Sequence, residues 1–323
     1  MRLFTLLLLV KVATIAQPIT PEPPISLGNI TGRIDHMAAD AATHRIYLAA
    51  LGNNTVEVID TEARKVIRSI SGLKHPQGVL FWPDVNRFAV ANADDGRVIV
   101  YDAESYTTLL TFELNGGDAD NIRMDRLKEI IVGYGDGALA WINTSLAVQV
   151  GNTMLDAHPE SFQLEKNGPR LFVNVPEAPS GPHVTVIDRR TRSVTAKWPL
   201  PGGVSQNYPM ALDEAGHRLF IGCRKPAEML AFDTQSGKVI ATAPIPGDTD
   251  DLFYDATSKR VYVSGGEGAV AVIDNDYKTV ASIATAKGAR TSLFVPELKR
   301  LFVAVPNRGK KQRPELLVYR VSP

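Results

Sequence analysis

An all-β chain folded as a ring of repeated units is what the sequence predicts, on three observations. First, a basic residue followed by alternating aliphatic and aromatic positions recurs at Arg45-Ile46-Tyr47-Leu48, Arg87-Phe88-Ala89-Val90, Arg170-Leu171-Phe172-Val173, Arg218-Leu219-Phe220-Ile221, Arg260-Val261-Tyr262-Val263 and Arg300-Leu301-Phe302-Val303, with a degenerate seventh copy at Glu129-Ile130-Ile131-Val132. The steps between copies are 40 to 48 residues, the period of one propeller blade. Second, a run ending in Asp or Asn follows, at residues 56–60, 98–102, 139–143, 184–188, 229–233 and 270–274. Both runs are rich in β-branched and aromatic residues and bounded by Gly, Asn, Asp and Pro, which is strand and turn chemistry. Third, the last unit stops one strand short while a spare strand stands at the other end of the chain. The prediction is a seven-bladed β-propeller of four-stranded antiparallel blades, one domain over residues 25–323.

Taken in order, residues 1–16 place Arg2 before the apolar residues 3–10 and a small residue, Ala16, before Gln17-Pro18. These are the three parts of a secretory signal peptide, so the chain is expected to be secreted or periplasmic. The apolar run is shorter than the ~20 residues of a bilayer-spanning helix, and no permanent membrane span is expected. The proline-rich residues 17–24 read as an extended spacer. Ile25-Ser26-Leu27-Gly28-Asn29-Ile30 then stands where every other unit has its predecessor's outermost strand, and its expected partner is residues 315–321. That pairing closes the last blade and removes an open sheet edge. Within the units, strands are expected before the Arg block (80–82, 210–212, 252–254) and after the acidic run (65–67, 238–241, 279–281).

The repeated blocks, the Arg-Leu-Phe-Val type followed by Val-x-Val-Ile-Asp and then Lys-Val-Ile, resemble the YVTN-repeat, YncE-like family of extracytoplasmic seven-bladed propellers over residues 25–321. The resemblance implies fold and a binding or scaffold role. Unit three departs from the pattern by lacking the Arg, and unit four by its long loop, residues 176–182.

Composition narrows the function. The 35 Lys and Arg balance 35 Asp and Glu, which argues against a dedicated nucleic-acid or membrane-surface binder. The single cysteine, Cys223, rules out an intrachain disulfide, a multi-cysteine zinc site and a haem attachment motif, and reads as a small buried hydrophobe. Nucleophile-elbow, zinc-protease, phosphate-loop and dinucleotide motifs are absent from the sequence. Arg308, Lys310, Lys311 and Arg313 form a basic stretch without interleaved aromatics, which reads as a solvated loop. The Asp60, Asp102, Asp188, Asp233 and Asp274 series reads as turn structure.

Chemistry is expected where the loops entering the innermost strands open around the channel. The column two positions ahead of each innermost strand reads Asp35, Gly78, Asp120, Glu160, Tyr208, Asp250 and Thr291, and the next adds His36, Asn121, Ser161 and Asp251. His75, His158, Asp118 and Asp248 flank them. Asp35, Asp120, Glu160, His158 and Asp250 are candidate ligands for a divalent cation, since carboxylates suit Ca²⁺ and His with carboxylate suits Zn²⁺. His36, His75, Tyr208 and Arg290 are candidate contacts to a polar ligand. The competing reading is turn capping by Asx-type hydrogen bonds. The expected function is a monomeric extracytoplasmic module presenting this mouth to a protein, glycan or small molecule; the alternative is a metal-dependent hydrolase or lactonase, similar in architecture to gluconolactonase-like propellers.

Overall fold

A computed structural model describes residues 17–125 and 129–322; the proposed signal segment, residues 1–16, lies outside the described residues. Seven four-stranded antiparallel sheets are arranged in a ring with almost no helix. Blades 1 to 6 occupy residues 37–70, 76–113, 122–154, 162–199, 205–244 and 249–284, and blade 7 combines residues 292–321 with an N-terminal strand. Every second strand starts at its repeat residue, as in Arg45–Ala50, Arg170–Val175 and Glu129–Tyr134. Successive blades bury their facing apolar residues against one another, so the core is seven separate seams rather than one centre.

The closing strand is Ile19–Ser26, six residues earlier than the sequence reading placed it. Residues 19–24, read as a spacer, are therefore mostly strand, paired antiparallel from Ile19↔Val321 to Ser26↔Glu315. Prolines are compatible with this position because it is the outermost strand, where a missing N–H need not break a ladder. A bulge between Glu22 and Ile25, at Pro23-Pro24, inserts one extra residue. Since strand side chains alternate faces, that residue turns the strand over. Ile19 accordingly packs into the seam between blades 6 and 7, and Ile25 into the seam between blades 7 and 1. Leu27 and Ile30, expected within the strand, instead follow it as buried loop residues of the second seam. Glu22 accepts from Arg300 at 2.9 Å and Arg320 at 3.0 Å across the same joint.

The acidic series at the ends of the third strands caps turns, as expected from sequence. Asp60 Oδ1 accepts the backbone N–H groups of Glu62 and Ala63, and Asp102, Asn143, Asp188 and Asp233 repeat the pattern. The repeated Arg bridges blades. Arg45 donates to the Ala103 carbonyl at 3.3 Å, Arg170 to that of Thr234, and Arg260 to that of Ser322 at 2.8 Å, each on the next blade just past its third strand.

Unit three, which has Glu129 in place of Arg, reverses the polarity. Arg192 of blade 4 reaches back to both Glu129 oxygens at 2.9 and 3.0 Å, and buried Arg189 pairs with Asp125 and donates to the Glu165 carbonyl at 2.7 Å.

Two variants test these joints. Ile25→Ala should cost about 2–5 kcal/mol in urea unfolding, and deletion of residues 17–26 should lower the thermal midpoint further; an unchanged midpoint after the deletion would refute the closure. Arg189→Ala, which removes a buried guanidinium from Asp125 and from the Glu165 carbonyl, should cost about 3–5 kcal/mol in the same assay.

Candidate functional site

The hydrogen-bond register fixes which residues ring the channel mouth. Asp35, Asp120 and Glu160 donate their backbone N–H to Ala49, Gly133 and Asn174 at 2.8, 2.9 and 3.0 Å, the same position of the second strand in three blades. Pairing of Met37 with Leu48, Val79 with Val90 and Ser292 with Val303 extends the column to blades 2 and 7. The structural column is therefore Asp35, Gln77, Asp120, Glu160, Tyr208, Asp250 and Arg290. The sequence alignment matches it in five units and slips by one residue in two, at Gly78 and Thr291. In blade 2 the innermost strand carries a register shift between Pro76 and Val79, as do those of blades 5 and 6 between Asn207 and Met210 and between Thr249 and Asp251. Gly78 is instead a point of close approach: a Cβ there would lie 2.0 Å from the Asp120 carbonyl oxygen.

His36 sits among three carboxylates. Its Nε2 is 3.6 Å from both Asp35 and Asp120, and its Nδ1 is 3.8 Å from Asp251. Asp35, His36 and Asp120 offer ligand atoms that all lie within 4.8 Å of one another, the one such group among the described residues. Arg33 meets Asp35 at 2.9 Å. With its amide nitrogen turned toward the carboxylate, Gln77 donates to both Asp120 oxygens at 2.9 and 3.2 Å. Asp251 is fixed by the Ser292 N–H at 2.8 Å.

Burial pushes the His36 pKa down, but the carboxylates of Asp120, Asp251 and Asp35 facing its ring prevail and hold it well above the ordinary value. The facing carboxylates thus favour the protonated imidazole. Burial raises Asp35 against the opposing charges of His36 and Arg33. Asp120 ends below its usual value, because the neighbouring His36 and the other positive charges around it outweigh its burial.

The other candidates are distributed around this centre. Asp250 is clamped by Arg224 at 2.6 Å and Arg290 at 3.1 Å, with Arg290 also on Asp248 at 2.9 Å. Arg224 lies 4.2 Å from the Tyr208 ring centroid, and buried Asn174 donates to the Tyr208 carbonyl at 2.9 Å. Glu160 is raised to about 8, by burial first and then by the charges of Asp120 and Asp250. His158 is bound through Nδ1 to the Gly135 carbonyl at 2.7 Å, near Asp118, and does not join the three-ligand group. His75, just ahead of the innermost strand of blade 2, stays out of this group, its side chain half-buried with Nδ1 2.5 Å from Asp94. Cys223 is fully buried and its thiol is pushed up to about 12 by that burial.

Below the mouth lies an axial cavity of about 300 Å³ lined by His36, Arg123, Ser161, Gln163, Asp251 and Ser292, among others. Arg33, Gln77, Arg123 and Arg224 were not singled out from sequence. Arg123 sits in an innermost strand, one place past a buried Ile122, where alternation alone signals a channel-facing residue. Burial lowers its pKa, while Asp251 and Asp120 oppose the shift.

No family model matches the chain. Sequence comparison finds uncharacterized protein YncE of Salmonella typhi and of Salmonella typhimurium, each 25% identical over 188 residues, 57% of this chain and 52% of the relative. The chain thus spans about half the length of the curated relatives it matches. Among solved structures, a chain of Kuenenia stuttgartiensis hydrazine synthase superposes with a TM-score of 0.76 over 87% of this chain and 95% of that one, at 16% identity, a likeness of fold alone.

Glu160 yields a pH prediction. An acid with a folded pKa of about 8 holds its proton in the native state after the unfolded chain, near 4.5, has lost it. The native state then binds more protons, so stability falls as pH rises through that window. Urea unfolding at pH 5 and pH 9 should show a smaller loss for Glu160→Gln than for wild type; parallel losses would place the titration elsewhere.

Proposed function

Homology and architecture make the chain a YncE-like seven-bladed propeller, and from that premise we propose that it is a non-catalytic extracytoplasmic binding module whose channel mouth takes a small polar ligand. The signal-like composition of residues 1–16 supports the location. Among the described residues no helix is long and apolar enough to cross a membrane. The observation that carries the reading is the charge balance of the mouth. His36, Arg33, Arg224 and Arg290 already neutralise Asp35, Asp120, Asp250 and Asp251 in place, with Arg123 beneath them. What remains for a ligand is a set of fixed donors and acceptors on rigid strands around a cavity of about 300 Å³, at the small end of small-molecule sites.

The grouping of Asp35, His36 and Asp120 favours a second reading, a divalent cation that polarises a carbonyl and activates water. Against it, a metal needs a lone pair on His36, whose two ring nitrogens both face carboxylates. A ligating His36 would have to lose its proton and leave Arg33 beside the ion.

Thermal-shift measurements with Ca²⁺, Mg²⁺, Mn²⁺ and Zn²⁺ on wild type and on Asp35→Asn/Asp120→Asn separate the two. A bound ion at a hundredfold excess over its Kd would stabilise the fold by about 2.7 kcal/mol. The binding-module reading expects no ion-specific shift and no stoichiometric metal in the purified protein. A shift lost in the double variant would replace it with the cation reading.

A further inference from the structure

The loops joining blades 6, 7 and 1 line a second cavity, of about 360 Å³ and open to the surface, bordered by Asp248, Gly288, Arg290 and Asn307 and by the exposed Arg33 and Arg308 among others. Three guanidiniums and one carboxylate make it cationic. Two of the three are held from the channel side, Arg33 by Asp35 at 2.9 Å and Arg290 by Asp250 at 3.1 Å, while Asp248, within the cavity lining, takes Arg290 Nη1 at 2.9 Å. Asp35 and Asp250 do not line the cavity themselves. Arg33 is bound only through Nη2, and the Arg308 guanidinium has no acceptor among the described residues.

The loop that carries Arg308 is anchored on both flanks. Asn307 donates to the Ile30 carbonyl at 3.1 Å, toward blade 1, and accepts the Gly309 N–H at 2.9 Å. Gln312 donates to the carbonyls of Lys287 at 2.9 Å and Pro306 at 2.8 Å, toward blade 6. Gly288, at φ +79°, lies beneath Arg308: a Cβ there would stand 3.2 Å from its Nη1. The basic stretch read from sequence as a solvated loop therefore contains one arginine placed by its surroundings, beside Lys310, Lys311 and Arg313 that do not line the cavity.

We propose that this cavity is an oxyanion-binding site, in which Arg33, Arg290 and Arg308 converge on the carboxylate or phosphate of a small molecule. Guanidiniums recognise such groups through paired, charge-assisted hydrogen bonds, and a fork already fixed by an ion pair loses little freedom on binding. The volume suits a compact organic anion rather than a polymer. The site stands apart from the axial cavity, and its test does not depend on what the axial cavity holds.

Isothermal titration of the full-length protein with inorganic phosphate and with citrate, each against chloride at equal ionic strength, reads the site directly. The expected result is saturable one-to-one binding of phosphate, citrate or both, the stronger of the two naming the preferred group. Arg308→Ala should weaken it by about tenfold or more, the worth of one charge-assisted contact, while Arg313→Ala in the same loop leaves it unchanged. Equal weakening by both variants would reduce the effect to diffuse surface charge and overturn the proposal, as would heats no different from chloride. Tighter binding of a single-stranded oligonucleotide that Arg313→Ala also weakens would overturn it in favour of a polymer contact.

Discussion

Everything in this molecule depends on one antiparallel joint, the pairing of residues 19–26 with 315–321. A propeller stacks each blade only on its two neighbours, so the ring is as secure as its last junction. Elsewhere the chain passes from blade to blade and the connection is covalent. At blade 7 it is made by hydrogen bonds, by Ile19 and Ile25 in two different seams, and by Glu22 between Arg300 and Arg320. Pro23 and Pro24 supply the bulge that lets one short strand serve both faces.

The polar bridges between blades follow a similar economy. A guanidinium on the second strand reaches a carbonyl on the next blade, leaving neither group buried and unpaired. Where the repeat loses its Arg at Glu129, the positive charge moves to the neighbouring blade as Arg189 and Arg192, and the joint survives with its polarity inverted. The mouth inherits this rigidity: its loops are pinned by second-strand carbonyls at one repeating register, so the charged side chains start from fixed backbone positions.

The fold was legible because the repeat is written in hydrophobic alternation, which a period of two and a recurring Arg make hard to mistake. Its limits were the places where alternation is broken. Prolines at 21, 23 and 24 read as a spacer because they remove ladder donors, yet an outermost strand tolerates that loss. The mouth was legible to within one residue: Asp35, Asp120, Glu160, Tyr208 and Asp250 fell in the structural column, while Gly78 and Thr291 each lie one place past it, beside Gln77 and Arg290, because hydrophobic alternation alone leaves a strand's first paired residue uncertain by one. Arg224 escaped because nothing in one sequence says which distant carboxylate a long flexible side chain will meet, and Arg33, whose partner Asp35 is only two residues on, lay outside the column that was read. His36 was placed correctly at the mouth, but its state follows from Asp120 and Asp251, which lie far along the chain.

The joint that closes the ring also orders events in time. Ribosomal synthesis makes residues 19–26 before blades 1 to 6, and their partner, the strand Glu315–Val321, after them. While those six blades are made that segment has no sheet to enter, and contacts this distant in sequence are slow to form. Its proline content suits the wait, since a strand deficient in N–H donors is a poor template for premature or intermolecular pairing. The nascent chain can assemble blades 1 to 6 progressively, but circular integrity arrives as a single late event, when residues 19–26 meet residues 315–321.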